Sequence, residues 1–193
     1  MGGVVAMAAR SVLESLQEKI GWPSDVAIFD SDAMIVTATT RSGEGRFFYD
    51  RRPGFRAPLL TSAPGRAYLA FCPLSQRETL LEMLARSAKE DDKPARAQRS
   101  ELERMLDEIK TQGYATAPRT RRLVEEIALS VPVMVEDRVL ACLTVRFAAS
   151  AVPLNTALDR FLPKLRECAA RISALFSEQQ TEALTLDRVA STP

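Results

Sequence analysis

The stretch Ile127-Ala128-Leu129-Ser130-Val131-Pro132-Val133-Met134-Val135-Glu136-Asp137-Arg138-Val139-Leu140-Ala141-Cys142-Leu143-Thr144-Val145-Arg146-Phe147 decides the fold. Two apolar runs, 127–135 and 139–147, flank the polar triplet Glu136-Asp137-Arg138, which reads as a hairpin in a sheet core. In the second run, alternation puts Leu143, Val145 and Phe147 on one face and Cys142, Thr144 and Arg146 on the other. A face that carries a thiol, a hydroxyl and a guanidinium is not an ordinary core face. The arginine there either pairs with a protein carboxylate or grips an anionic ligand with its planar fork.

Outward from this hairpin, Asn155 is placed to cap a long helix with apolar residues at Leu158, Leu162, Leu165, Ala169, Ile172 and Phe176. Residues 181–193 have no periodicity and are expected to form a flexible tail. On the N-terminal side three helices are expected. Ser62 caps the first, with Pro64 in its opening turn; Ser75-Gln76-Arg77-Glu78 and Ser100-Glu101-Leu102-Glu103 read as capping boxes for the other two. The second carries Leu80, Leu81 and Leu84 on one face. The third carries Leu102, Met105, Leu106 and Ile109 and ends at Gly113. Earlier still, Asp25–Phe29 and Met34–Ala38 form a second hairpin, with a third short strand at Arg46–Tyr49. Residues 1–23 make a helix stopped by Gly21-Trp22-Pro23, suited to a linker or dimerisation role. The order helix, strands, helices, strands, helix is α+β: an antiparallel sheet with helices on its faces.

The 193 residues suffice for one domain with a real core. Twenty-six basic against 25 acidic residues leave a net charge of +1, which speaks against a strongly basic nucleic-acid module. Histidine is absent, which removes Ser-His-Asp and Cys-His catalysis and imidazole zinc sites. The three cysteines, Cys72, Cys142 and Cys168, form no CxxC pair, so neither a metal site nor a disulfide framework is signalled and a reduced cytoplasmic setting fits. No apolar run reaches the ~18 residues of a membrane span. No phosphate-binding loop is present; Gly43-Glu44-Gly45 is too short to be one, and no cofactor is implied. Glu101/Glu103 and Glu125/Glu126 read as solvated carboxylates. Arg41, Arg46, Arg51, Arg52, Arg56 and Arg66 crowd one region among Phe47, Phe48, Tyr49 and Phe55 and read as loop arginines.

The segments TSAPGRAYLAFCPLSQRETLLEML (61–84), GYATAPRTRR (113–122) and SVPVMVEDRVLACLTVRFAASAV (130–152), in this order and spacing, resemble the effector-binding domain of isocitrate-lyase-regulator (IclR) transcription factors. PGRAYLAFCP and LTVRFAASA are most similar to the branch that controls aromatic-acid, hydroxyphenylpropionate-type degradation. The resemblance implies a GAF-like domain over residues 24–180, with helices on both faces of the sheet. It also implies a homodimer or tetramer, and a small carboxylate effector, an aromatic acid in this branch, bound between the sheet and the helix that starts at Ser62. The implied effector residues are Ser62, Ala63 and Pro64 at the helix start and Ser130, Cys142, Thr144 and Arg146 on the strands. Phe47, Tyr68 and Phe71 would line an aromatic slot. Pro64 has no N–H to donate and Arg146 stands where relatives often have a hydroxyl, so Arg146 is expected to take the carboxylate. Family members carry a winged helix-turn-helix that these residues do not contain, and DNA binding belongs to that part. Other outcomes are a carboxylate-processing enzyme using Cys142, its thiol activated by Arg146, or a ligand-free dimerisation domain.

Overall fold

A computed structural model describes residues 2–40, 52–121 and 124–190. Helix α1 (Gly2–Ile20) leads into strands β1 (Ser24–Asp30) and β2 (Ala33–Thr39), and a short strand β3 (Arg56–Pro58) follows. Helices α2 (Ala63–Phe71), α3 (Leu74–Ala85), α4 (Lys93–Ala97) and α5 (Arg99–Gln112) come next, with a 3-10 turn at Glu90–Asp92. Strands β4 (Ala115–Arg121), β5 (Val124–Val135) and β6 (Arg138–Ala148) and helices α6 (Leu154–Arg160) and α7 (Leu162–Ala190) complete the chain. The strands form one antiparallel sheet in the order β3-β2-β1-β6-β5-β4, so the fold is α+β, as read from the sequence.

Both faces of the sheet are covered. On one, Val26, Leu129, Val131, Leu143, Val145 and Phe147 pack against Val12, Leu16, Phe161, Leu165 and Ile172 of α1, the α6–α7 junction and α7. Phe147 meets Phe161 edge-to-face at 5.6 Å and Trp22 at 6.4 Å, between ring centroids. On the other, Ala27, Met34, Val36, Ala115 and Cys142 face α2, α3 and α5 through Leu69, Leu81, Leu84 and Leu106. The period-two pattern of the β5–β6 hairpin thus serves two cores, and both runs are apolar where they meet α1 and α7.

Several helix ends differ from the sequence reading, and the cause recurs. Helix α3 begins at Leu74 and α6 at Leu154, each directly after a proline with extended backbone, Pro73 and Pro153. The Pro73 carbonyl accepts the Arg77 N–H at 2.9 Å and the Pro153 carbonyl that of Ala157 at 3.0 Å, so the helices open upstream of Ser75 and Asn155, which cap nothing. Helix α5 opens at Gln98 rather than Ser100, and Glu103 pairs with Arg99 instead of closing a capping box. The expected single C-terminal helix is two, broken at Phe161, because Pro163 cannot continue a helix that contains it in its interior. Helix α7 extends past Gln180 to Ala190, so the expected flexible tail is helical over those residues. The strand at 115–121 went unread; as an edge strand, β4 tolerates Pro118. Helix α4 and β3 were also unread, while the expected strand at Arg46–Tyr49 lies outside the described residues.

Gly65 shows how tightly α2 is seated. A Cβ built there would lie 2.4 Å from the Leu59 carbonyl oxygen and 2.6 Å from that of Pro58. Alanine favours a helix by about 1 kcal/mol over glycine, but overpacking against rigid backbone costs about 3 kcal/mol. Gly65→Ala is therefore expected to lower the unfolding free energy by about 2 kcal/mol in a urea titration, despite its better helix propensity.

Candidate functional site

The face of the sheet beneath α2 carries a row of polar side chains across four strands. Thr39 of β2 lies opposite Asp25 of β1, Asp25 opposite Thr144 of β6, and Thr144 opposite Ser130 of β5. The Thr39 hydroxyl donates to Asp25 Oδ1 at 2.6 Å; Thr144 Oγ1 donates to Ser130 Oγ at 3.0 Å, and Ser130 Oγ to the Leu143 carbonyl at 3.2 Å. One pleat further along lies Arg146, with only 3% of its surface exposed. Its Nε donates to Asp25 Oδ2 at 3.1 Å and its Nη1 to Glu126 Oε1 at 3.4 Å. The first of the two roles open to this arginine, pairing with protein carboxylates, is thus realised in the structure.

Helix α2 closes over this row. Ser62 caps it: the hydroxyl accepts from the Gly65 N–H at 3.1 Å and donates to the Pro58 carbonyl at 2.6 Å. Ala63, in the first turn, is fully buried with Ala117 of β4 and Ala128 of β5, small residues that let helix and sheet approach closely. Arg66 extends from α2 to the Leu60 carbonyl at 2.8 Å and the Thr116 carbonyl at 3.0 Å, and its burial lowers its pKa. Ser62, Ala63, Pro64, Ser130, Thr144 and Arg146 are therefore brought into one layer.

Tyr68 and Phe71 lie further along α2. Tyr68 stacks on Phe29 with centroids 4.4 Å apart, and its hydroxyl accepts from Gln76 Nε2 at 2.8 Å. It lines a separate cavity of about 520 Å³ with Ile28, Arg138 and Leu140, at the end of β6 remote from Arg146. At ~3.3 Å per strand residue, Leu140 and Arg146 are roughly 20 Å apart. Phe71 is half-buried against the core on the same helix. Among the described residues Tyr68 thus sits toward the Cys72 and Cys142 end of this face, and Phe47, the third residue of the expected aromatic slot, lies outside them.

Three site residues escaped the sequence reading: Asp25, Thr39 and Glu126. Glu126 was read as solvated with Glu125, yet only Glu125 is exposed. Alternation along β5 puts Glu126 on the same face as Ala128 and Ser130, and that periodicity was the available signal.

The sequence matches the family described as bacterial transcriptional regulator IclR C-terminal over residues 4–174. The chain belongs to this IclR family. It is 28% identical over 177 residues to a probable transcriptional regulator, SauR, of Cupriavidus necator, covering 90% of this chain and 67% of that protein. Among solved structures, an IclR homologue from Microbacterium hydrocarbonoxydans complexed with 4-hydroxybenzoate superposes with a TM-score of 0.71 at 21% identity, covering 92% of this chain and 70% of the other. The inducer-binding domain of PobR from Acinetobacter, a double mutant in complex with 3-hydroxybenzoic acid, gives 0.71 at 19% identity, covering 87% and 97%. These IclR relatives are transcriptional regulators, and the two structures share this fold.

The thiol chemistry weighed for this IclR domain has little support in the geometry. Cys142 is fully buried; that burial, with Cys72 nearby, raises its pKa, and no cation lowers it. Burial likewise pushes the Cys72 thiol up to about 11. Among the described residues no group of side chains is arranged to hold a metal ion, and no helix is long and apolar enough to cross a membrane.

Two outcomes follow. Arg146→Met leaves Asp25 and Glu126 without their cation and is expected to cost about 3–5 kcal/mol of stability, read by denaturant unfolding. Cys72 keeps its proton in the folded state at pH values where the unfolded chain has lost it. Its contribution to stability is thus complete below the ordinary thiol pKa of 9.0 and declines as pH rises toward about 11. Unfolding free energies measured across that interval are expected to fall, and Cys72→Ser to flatten the decline.

Proposed function

We propose that this chain is the effector-sensing domain of an IclR-type regulator, and that it binds a small carboxylic acid, an aromatic one, between α2 and the β1–β6–β5 face. The observation that carries this reading is the buried polar row Thr39, Asp25, Thr144, Ser130 with Arg146, enclosed by the first turn of α2. Polar side chains are seldom gathered on a buried sheet face without a use for their orientation. The Thr144 hydroxyl, which donates to Ser130 in this structure, turns to donate to an acid oxygen when the ligand enters, and Arg146 supplies the charge. The benzoates bound by the two relatives favour an aromatic acid over a small keto acid.

On this reading the acid biases an equilibrium between arrangements of a homodimer or tetramer, and with it the spacing of the winged helix-turn-helix segments that family members carry. The regulator acts in the cytoplasm on genes for breakdown of the acid it senses. No cofactor takes part.

The test is thermal unfolding with hydroxybenzoates, phenylpropionates, cinnamates, pyruvate and glyoxylate. An acid present at about 100 times its Kd adds about 2.7 kcal/mol of stability, a rise of several degrees for a domain of this size. Selective shifts with aromatic acids, weakened in Thr144→Val and Ser130→Ala, are expected. Shifts with pyruvate and glyoxylate alone overturn the aromatic assignment, and no shift with any acid overturns the sensing role. Arg146 is a poor first target, since its loss destabilises the fold whether or not it touches ligand.

A further inference from the structure

We infer that Glu126 is a built-in competitor of the effector: an internal carboxylate that occupies the end of Arg146 and that an incoming acid displaces. This rests on the effector site proposed above and names the residue that sets its affinity.

The two counter-ions of Arg146 are not equivalent. Asp25 is fixed. It sits on a strand paired on both sides, its side chain is 4% exposed, and its second oxygen holds the Thr39 hydroxyl at 2.6 Å. Among the described residues Glu126 is held by one contact, at 3.4 Å, its side chain is 18% exposed, and its longer stem can swing away from the sheet. Asp25 takes Nε, on the side of the guanidinium, while Glu126 takes Nη1, at its end. Nη2 makes no hydrogen bond among the described residues.

A ligand carboxylate gripping Arg146 end-on needs Nη1 and Nη2 together. Among the described residues Nη2 has no partner, and Nη1 is held by Glu126. Charge points the same way. Two carboxylates on one guanidinium leave the cluster at a net −1, so a third acid arriving beside both is repelled. When Glu126 leaves as the acid enters, the charge of the cluster is unchanged and Arg146 stays neutralised. The exchange selects full anions: a neutral ligand of the same shape cannot replace Glu126. Affinity for the acid is then the difference between two carboxylates competing for one arginine end, and removal of Glu126 raises it.

The test is calorimetric titration of the whole chain with 4-hydroxybenzoate and its uncharged counterpart 4-hydroxybenzamide, comparing the unaltered protein with Glu126→Gln and Glu126→Ala, whose folding is checked by circular dichroism. Both variants are expected to bind 4-hydroxybenzoate roughly tenfold more tightly, with the response to the amide unchanged. Equal or weaker binding of the acid by variants that remain folded overturns the competitor role and leaves the sensing role standing. An equal gain for acid and amide overturns it too, since that reports a larger cavity rather than a freed charge. Absence of 4-hydroxybenzoate binding in all three proteins also overturns the competitor role, since an Arg146 end freed of Glu126 then takes no acid; the sensing role is decided separately by the panel of acids above.

Discussion

A guanidinium buried in the middle of a sheet has to be neutralised where it lies, because an isolated charge away from water is far costlier than any contact nearby can offset. Arg146 meets this requirement with one carboxylate from each neighbouring strand, Asp25 on β1 and Glu126 on β5. The ion cluster therefore stitches together β1, β6 and β5, the strands that join the N-terminal and C-terminal halves of the sheet. A shift of any of them by one residue would turn its partner to the other face and strand a charge there. The cluster fixes register as well as charge.

The layer above depends on that register. Thr144 and Ser130 share a row with Asp25 only while the strands stay aligned, and Ala117 and Ala128 then lie where Ala63 descends. Small side chains in the helix and sheet leave the backbones close, so the hydroxyls and the arginine lie immediately under the first turn of α2. The opposite face shows the contrast. There the same strands present Val26, Leu143, Val145 and Phe147 to α1 and α7.

Much of this was readable in the chain because it depends on neighbours in sequence. Alternation in 139–147 separated the two faces and isolated Arg146 with Thr144 and Cys142. Ser62 announced its own cap, and Gly113 closes α5 in the left-handed conformation that glycine favours, with φ of +82°. What stayed hidden depends on distant or competing groups. Asp25 and Arg146 are 121 residues apart, and nothing local pairs them. Ser75 and Asn155 carry the usual cap chemistry, but Pro73 and Pro153 opened those helices first. Tyr68 and Phe71 were expected to line an aromatic slot with Phe47; further along α2 they sit toward the Cys142 end of the face.

The contact at Gly65 has a mechanical consequence. Where a single added carbon would stand 2.4 Å from the Leu59 carbonyl, helix and loop have no clearance to slide past one another. The opening turn of α2 and residues 58–62 behave as one rigid piece, clamped further by the Ser62 hydroxyl on the Pro58 carbonyl. That piece continues into β3, which is paired with β2, the strand hydrogen-bonded to β1. A displacement of the start of α2 therefore has to carry residues 58–62 and the short strand β3 with it.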